Sequence, residues 1–368
     1  MARIILADDG IRFDGRLAET APLGGAETAV VGLAEALARR GHEVAVYNTC
    51  GGPLDWNGVA WRPIGAGLPE SADLYIANRG DRLLPLVPRA RARAFWIHNP
   101  AGYLLKWRYL WKLARWRPAI VFSGAFHAST YPRWAPDGGR AIVPLGVAET
   151  FRAPPGPCAA DTVAAQPPPP APRAVFTSNP LRSLDWLLDL WSEAIRPRVP
   201  GAELHVFSGP QTYGGGSAVG ETKSAAMRAV FAKAERLAAS GVVLRGAVAK
   251  SDLARELRQA RLFLYRGDPG ETFCLAAAEA QASGLPAVVE DVACLRERVV
   301  DGKTGFVTKD KSSFAEAAVR LLTDDALWRA QHAAALARGA AGWDETAQEF
   351  ETLFSPFGEL AKSIRRET

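Results

Sequence analysis

At 368 residues the chain exceeds the roughly 250–300 at which a single hydrophobic core stops growing, so two domains are expected. Its 48% hydrophobic and 23% charged residues are those of a globular protein, not a disordered or fibrous one, and a net charge of +5 permits an anionic partner without selecting one. The widely spaced Cys50, Cys158, Cys274 and Cys294 exclude a zinc or disulfide framework, and neither a leader pattern nor a run of about 20 apolar residues is present, so a cytoplasmic protein is expected.

The first half alternates short apolar runs with helical patterns. Strands are expected at RIILA from Arg3, EVAVYN from Glu43, DLYIA from Asp73, RAFWIH from Arg93, AIVFSG from Ala119 and AIVPLG from Ala141. Between the first two, GGAETAVVGLAEALARRG reads as a helix closed by Gly41, with Val30, Leu33, Ala34 and Leu37 on one face. Such alternation marks a parallel sheet covered on both faces, a Rossmann-like domain over residues 1–152. A stretch dense in Pro and Ala, 153–173, has no periodicity and is expected to be a linker.

The alternation then restarts over 174–342. Strands are expected at AVFTS from Ala174, AELHVFSG from Ala202, GVVLRG from Gly241, RLFLYRG from Arg261 and PAVVED from Pro286, with helices from Leu184 and from Lys223 to Ser240. From Ser312 the pattern is nearly all helical, and 343–368 is long enough to return to the first domain. The fold class is therefore α/β, two doubly wound lobes that would face each other across a cleft.

Two carboxylates, Glu271 and Glu279, are separated by seven residues in GDPGETFCLAAAEAQASGLPAVV. Glu271 follows a strand and precedes a helix, the edge where open α/β sheets bind ligands. Gly267 and Gly270 allow close backbone approach, and amides at Thr272, Phe273 and Cys274 would open the helix toward a phosphate. Glu279 could accept hydrogen bonds from vicinal hydroxyls such as those of a ribose. Singly, each glutamate could equally be a helix cap or a solvated helix residue.

The run ETFCLAAAEAQASGLPAVVEDVACLRERVVDGKTGFV resembles the donor-binding region of glycosyltransferase family 4, retaining enzymes of the GT-B fold. GGAE at Gly24, IHNP at Ile97 and IVPLGV at Ile142 extend the resemblance over most of the chain. It implies a retaining hexosyltransferase using a nucleotide diphosphate sugar, with UDP favoured over GDP. Catalytic roles would fall to His98, Glu271 and Arg182: His98 and Glu271 on the transferred sugar, Arg182 beside the phosphates. Glu279 would hold the ribose. Amides of Phe273, Cys274 and Leu275, with Thr272 beside them, would hold one phosphate, and the Gly24–Gly25 turn would face the same diphosphate. The sequence departs from the family where an Arg usually precedes the Lys: here Ser178 and Asn179 precede Arg182, and Arg245 or Arg266 would have to supply the second cation. His98 could also be a packed core histidine, and His127 is the weaker candidate of the two. No cofactor or metal is expected, since neither an Asp-x-Asp nor a His/Cys cluster is present, with Asp268 and Asp291 the fallback ligands.

YLLKWRYLWKLARWRP, from Tyr103, interleaves aromatic and basic residues. On a helix Leu104, Trp107 and Trp111 would share a stripe, with Lys106, Arg108, Lys112 and Arg115 around it, as in helices lying on an anionic membrane surface. The segment from Lys106 to Arg117 is thus either a membrane contact, with a glycan or lipid-linked acceptor, or a basic helix packed on the first domain. Nucleic acid is not expected as a partner. Of the competing functions, a glycan phosphorylase would need a longer chain and a cofactor lysine. A catalytically silent nucleotide-sugar-binding or scaffold protein is the alternative.

Overall fold

The computed structural model describes residues 1–152, 168–209 and 218–354, with side chains in the last segment from 222 onward. The chain divides into two compact units, Met1–Gly146 with Ala341–Thr368, and Val147–Ala340.

The first unit opens with β1 (Arg3–Asp8), α1 (Leu17–Thr20), α2 (Gly25–Arg39), β2 (Glu43–Asn48), β3 (Leu54–Trp56), β4 (Val59–Pro63), β5 (Ser71–Asn78) and β6 (Arg89–Trp96). It continues through α3 (Trp107–Trp116), β7 (Ala119–Phe122), α4 (Ala125–Ser129) and β8 (Arg140–Ile142). Among the described residues its sheet has eight strands in the order β3-β4-β2-β1-β5-β6-β7-β8. Every ladder is parallel except β3–β4, a hairpin closed by Asn57 and Gly58, both at positive φ as a two-residue turn of that hand requires. The apolar positions expected on α2 are buried, and Gly41 at φ +87° terminates it.

The second unit contains β9 (Arg173–Phe176), α5 (Leu184–Leu190), β10 (Glu203–Val206), α6 (Ala218–Arg236), β11 (Val242–Leu244), α7 (Lys250–Gln259) and β12 (Leu262–Tyr265). After it come α8 (Leu275–Ala282), β13 (Ala287–Glu290), α9 (Leu295–Arg298), β14 (Gly305–Thr308), α10 (Lys311–Thr323) and α11 (Asp325–Arg338). Its six described strands are all parallel, ordered β11-β10-β9-β12-β13-β14. Strand β14 was not expected from the sequence. Its Gly305 is obligatory, because a Cβ there would strike the Ala287 carbonyl of β13.

Both sheets have the doubly wound order, and each has a switch point where the chain leaves one strand in opposite directions. In the first unit it lies between β1 and β5, in the second between β9 and β12. Ligands of open α/β sheets bind outside the carboxyl ends of such strands.

The last described helix, α12 (Trp343–Glu351), belongs to the first unit. It lies on α2, where a Cβ at Gly32 would collide with the Trp343 indole. Phe350 meets Trp96 edge-on at 5.2 Å, and Arg40 bonds Glu351 through two nitrogens at 2.6 and 2.8 Å. Full burial of each aromatic contributes roughly 2–3 kcal/mol, far more than the exposed Arg39–Asp344 pair. Residues 355–368 lie outside the described part.

The chain leaves the first unit at Gly146, earlier than the expected end at 152. Residues 147–152 belong to the second unit because Phe151 is fully buried there, its carbonyl accepting from Ser283 Oγ at 3.2 Å while Arg258 reaches the Thr150 carbonyl. Most of the expected linker, 153–167, lies outside the described residues.

Candidate active site

In the second unit the loops after β9 and β12 meet at the switch point. Gly267, at φ +102°, turns the chain out of β12, and its carbonyl accepts from Ser183 Oγ at 2.9 Å. Across this tie Arg182 Nη1 donates to Glu271 Oε1 at 2.5 Å, and the Tyr265 hydroxyl donates to the same oxygen at 2.6 Å. Burial works against the Arg182 charge, but Glu271, Tyr265 and Asp268 outweigh it and hold the guanidinium more firmly protonated. Burial, with Cys274 and Glu271 beside it, pushes the Tyr265 phenol well above its ordinary value, so the phenol stays a donor.

Glu279 is 3% exposed, and its Oε1 accepts from Lys250 Nζ at 2.6 Å. Each glutamate thus spends Oε1 on a cation. The second oxygen of each has no partner among the described residues, and neither is a buried orphan, so both Oε2 atoms reach solvent. Lys250 was not singled out from the sequence. A signal existed, however: a lysine opening a helix faces the positive end of its dipole and needs a carboxylate close by.

The arginines expected to stand in for a second cation are committed elsewhere. Arg245 bonds Glu256 of α7 at 2.8 Å and lies over Phe207, while Arg266 bonds Glu290 at 3.0 Å and lies over Trp186. Asn179 caps the Leu181 amide at 2.9 Å, and neither it nor Ser178 carries a charge that could replace the missing cation.

The expected helix start is corrected. Helix α8 begins at Leu275, and Thr272, Phe273 and Cys274 form the turn before it, because Cys274 takes a left-handed conformation at φ +60°. All three are buried, with the Arg298 guanidinium 4.1 Å from the Phe273 ring centroid. Burial first, and Glu271 and Cys294 after it, push the Cys274 thiol well up, so it is protonated and inert.

In the first unit Gly24 caps α2 at the β1–β5 switch point, in extended backbone that any residue adopts. A Cβ there would come within 2.3 Å of Glu27 Oε2, so a larger residue would have to displace that carboxylate. Glu27 folds back to accept from Arg79 at 2.9 Å, and Arg79 also holds the buried Asp8. His98, half-buried just beyond β6, has its Nε2 2.7 Å from Asn78 Oδ1. Burial chiefly, then Arg79 and His127, hold the His98 imidazole well below its ordinary value, so the ring is neutral. His127 is fully buried between Ser123 and the Asn99 carbonyl, with its pKa lowered by burial to about 4, the packed histidine of the two.

Comparison with known proteins bears on the second unit most directly. Residues 171–324 match the family described as Glycosyl transferases group 1. That span contains Arg182, Lys250, Glu271 and Glu279. A comparison with curated protein sequences returns no match. Solved structures align over nearly the whole chain. Sucrose-phosphate synthase from Thermosynechococcus elongatus aligns with a TM-score of 0.66 at 16% identity, covering 100% of both chains. HepE of Anabaena, solved with UDP and glucose, has a TM-score of 0.70 at 14% identity over 96% of this chain and 100% of its own. AviGT4, a glycosyltransferase of avilamycin A biosynthesis, gives 0.59 at 17% identity over 96% and 97%. At these identities the structures establish the shared GT-B architecture, and the family match covers most of the second unit.

Proposed function

We propose that this chain is a retaining glycosyltransferase that moves a hexose from a UDP-sugar to a hydroxyl of a glycan or lipid-linked acceptor. The observation that carries the reading is the pair of buried glutamates within the matched domain, each anchored by a cation through Oε1 and each presenting Oε2. Glu271 accepts from hydroxyls of the hexose and Glu279 from the ribose. Arg182 and the backbone amides around Phe273, Cys274 and Leu275 meet the charge that grows on the departing diphosphate, and no divalent cation is required. As the bond from the sugar carbon to the phosphate oxygen breaks, its electron pair leaves with the diphosphate. The acceptor hydroxyl attacks the same face and passes its proton to that phosphate oxygen. Within the first unit, His98 and the Gly24–Gly25 turn lie at the carboxyl ends of the strands and are that unit's own candidates for contacts to a sugar and a phosphate. HepE solved with UDP and glucose supports UDP as the nucleotide.

The membrane reading of the 106–117 segment needs one correction. Leu104 lies in a separate turn and is fully buried, whereas Tyr109 and Leu113 seat α3 on the core. That leaves Trp107 and Trp111 as the outward stripe, 78% and 47% exposed, beside exposed Lys106, Arg108, Arg115 and Arg117. The helix carries no acidic residue, and of its cations Lys112 alone bonds Asp81 closely, at 2.6 Å. Bare indoles among cations fit an anionic bilayer, and this favours a lipid-linked acceptor and a peripheral position on the inner membrane face. No described helix is long and apolar enough to cross a membrane.

Calorimetry with UDP tests the site. Wild type should bind, and Glu279→Gln should weaken binding roughly tenfold, the worth of a hydrogen bond to a charged group. Equal affinity of the two proteins removes Glu279 from the site.

A further inference from the structure

A carboxylate that presents one oxygen to a ligand has to be held by the other, and two donors of different kinds hold Glu271. Its backbone is fixed first. The Glu271 amide donates to the Asp268 carbonyl at 2.9 Å and the Gly270 amide to Asp268 Oδ1 at 2.8 Å, which closes the turn after β12. On its Oε1 converge Arg182 Nη1 at 2.5 Å and the Tyr265 hydroxyl at 2.6 Å.

The two donors differ in stiffness. Arg182 stands in the loop after β9 with its side chain 35% exposed, so holding it in one geometry costs rotamer entropy and water screens its charge. Tyr265 is the last residue of β12 and is fully buried. Its ring lies edge-on to Phe176 at 6.0 Å and beside Phe263 at 6.1 Å. Two side-chain torsions locked in a packed core place the hydroxyl at one point. Burial keeps the proton on that phenol, and an oxygen that accepts from a guanidinium has a further lone pair to offer it.

We propose that Tyr265 is the positioning residue of the carboxylate pair: its hydroxyl pins Glu271 Oε1 so that Oε2 faces the donor sugar, and it leaves Arg182 free to turn toward a diphosphate without releasing the glutamate. The consequence for turnover rests on the proposed reading of Glu271 as a sugar contact. The hydrogen bond does not. Every residue in the argument belongs to the second unit.

A double-mutant cycle on the full chain, with UDP-sugar turnover and UDP calorimetry, tests the role. Tyr265→Phe keeps the ring and its packing and removes the hydroxyl alone. It should lower kcat roughly tenfold, the scale of one hydrogen bond to a charged group, at little changed donor KM and UDP affinity. In a Glu271→Ala background there is no carboxylate left to hold, so adding Tyr265→Phe should change kcat less than twofold. A role in packing would instead cost the same factor in both backgrounds, and that result overturns the proposal. So does an unchanged kcat in Tyr265→Phe. Proton NMR of wild type labelled with carbon-13 in its tyrosine rings reads the hydrogen bond without turnover. One of the seven tyrosines should show a slowly exchanging, downfield hydroxyl proton that is absent from Tyr265→Phe and moves upfield in Glu271→Ala. No such proton in wild type overturns the proposal. The proton present in a protein that releases UDP from no UDP-sugar leaves the hydrogen bond standing and removes the proposed function instead.

Discussion

Replacing Lys250 with Met should open α8 locally, by an amount the structure fixes. The substitution keeps the aliphatic stem beside Phe151 but leaves Glu279, 3% exposed, without the ammonium 2.6 Å away. Stranding a fully buried charge costs about 3–5 kcal/mol, but the Lys250 side chain is 23% exposed, so water already screens the pair and a smaller cost, roughly 2–3 kcal/mol, is expected. The converse change, Glu279→Gln, leaves an ammonium that can turn to solvent and should cost about 1 kcal/mol. The double variant strands nothing and should return to within about 1 kcal/mol of wild type. Hydrogen exchange of the α8 amides, followed by mass spectrometry, reads the opening free energy of that helix directly. If the double variant exchanges as fast as Lys250→Met or faster, the cost does not come from a stranded carboxylate and the argument fails.

Acid should destabilise the first unit through His127, whose folded pKa of about 4 lies below the ordinary 6.5. Its contribution is complete above 6.5 and is lost as pH falls toward 4, at up to about 1.4 kcal/mol per pH unit and about 3 kcal/mol in all. His127→Gln should flatten that part of the stability profile, and a profile unchanged in urea unfolding refutes it. Arg182→Leu should lower kcat by about 100-fold or more and Arg182→Lys by less, as expected for a group that meets developing charge, whereas an unchanged kcat in both removes Arg182 from the reaction. Replacing Lys106, Arg108, Arg115 and Arg117 with Gln should sharply weaken sedimentation with anionic vesicles, at about 1 kcal/mol per cation, and wild type that ignores such vesicles at low salt ends the membrane reading. Activity should survive excess chelator, and its complete loss, restored by Mg²⁺, would redirect attention to Asp268 and Asp291.

The alternation of strand and helix was legible because parallel strands buried on both faces read as short apolar runs, and β1, β2, β5, β7 and β9 to β13 all lie at the expected runs. The β3–β4 hairpin was not, although Asn57–Gly58 is a strong turn signal, because LDW and VAWRP are too short to stand out as strands. Glu271 and Glu279 were legible from their spacing and their flanking glycines. Their cations were only half so: Arg182 sits in a loop beside the motif, whereas Lys250 belongs to a helix that only the fold brings against α8. The Asp8–Arg79–Asn78 cluster was invisible for the same reason, since its members come from separate strand ends and each looks ordinary alone.

The central claim is that the chain breaks the bond between a hexose and UDP with retention. A panel of UDP- and GDP-sugars incubated with the protein, with the released nucleotide quantified and the product anomer read by NMR, tests it most directly. Release of UDP from one UDP-sugar, with product of the donor's own anomeric configuration and loss of turnover in Glu271→Gln, is the predicted result. An inverted anomer would contradict retention, and no release from any sugar by a protein that still binds UDP would make this chain a nucleotide-sugar-binding protein rather than a transferase.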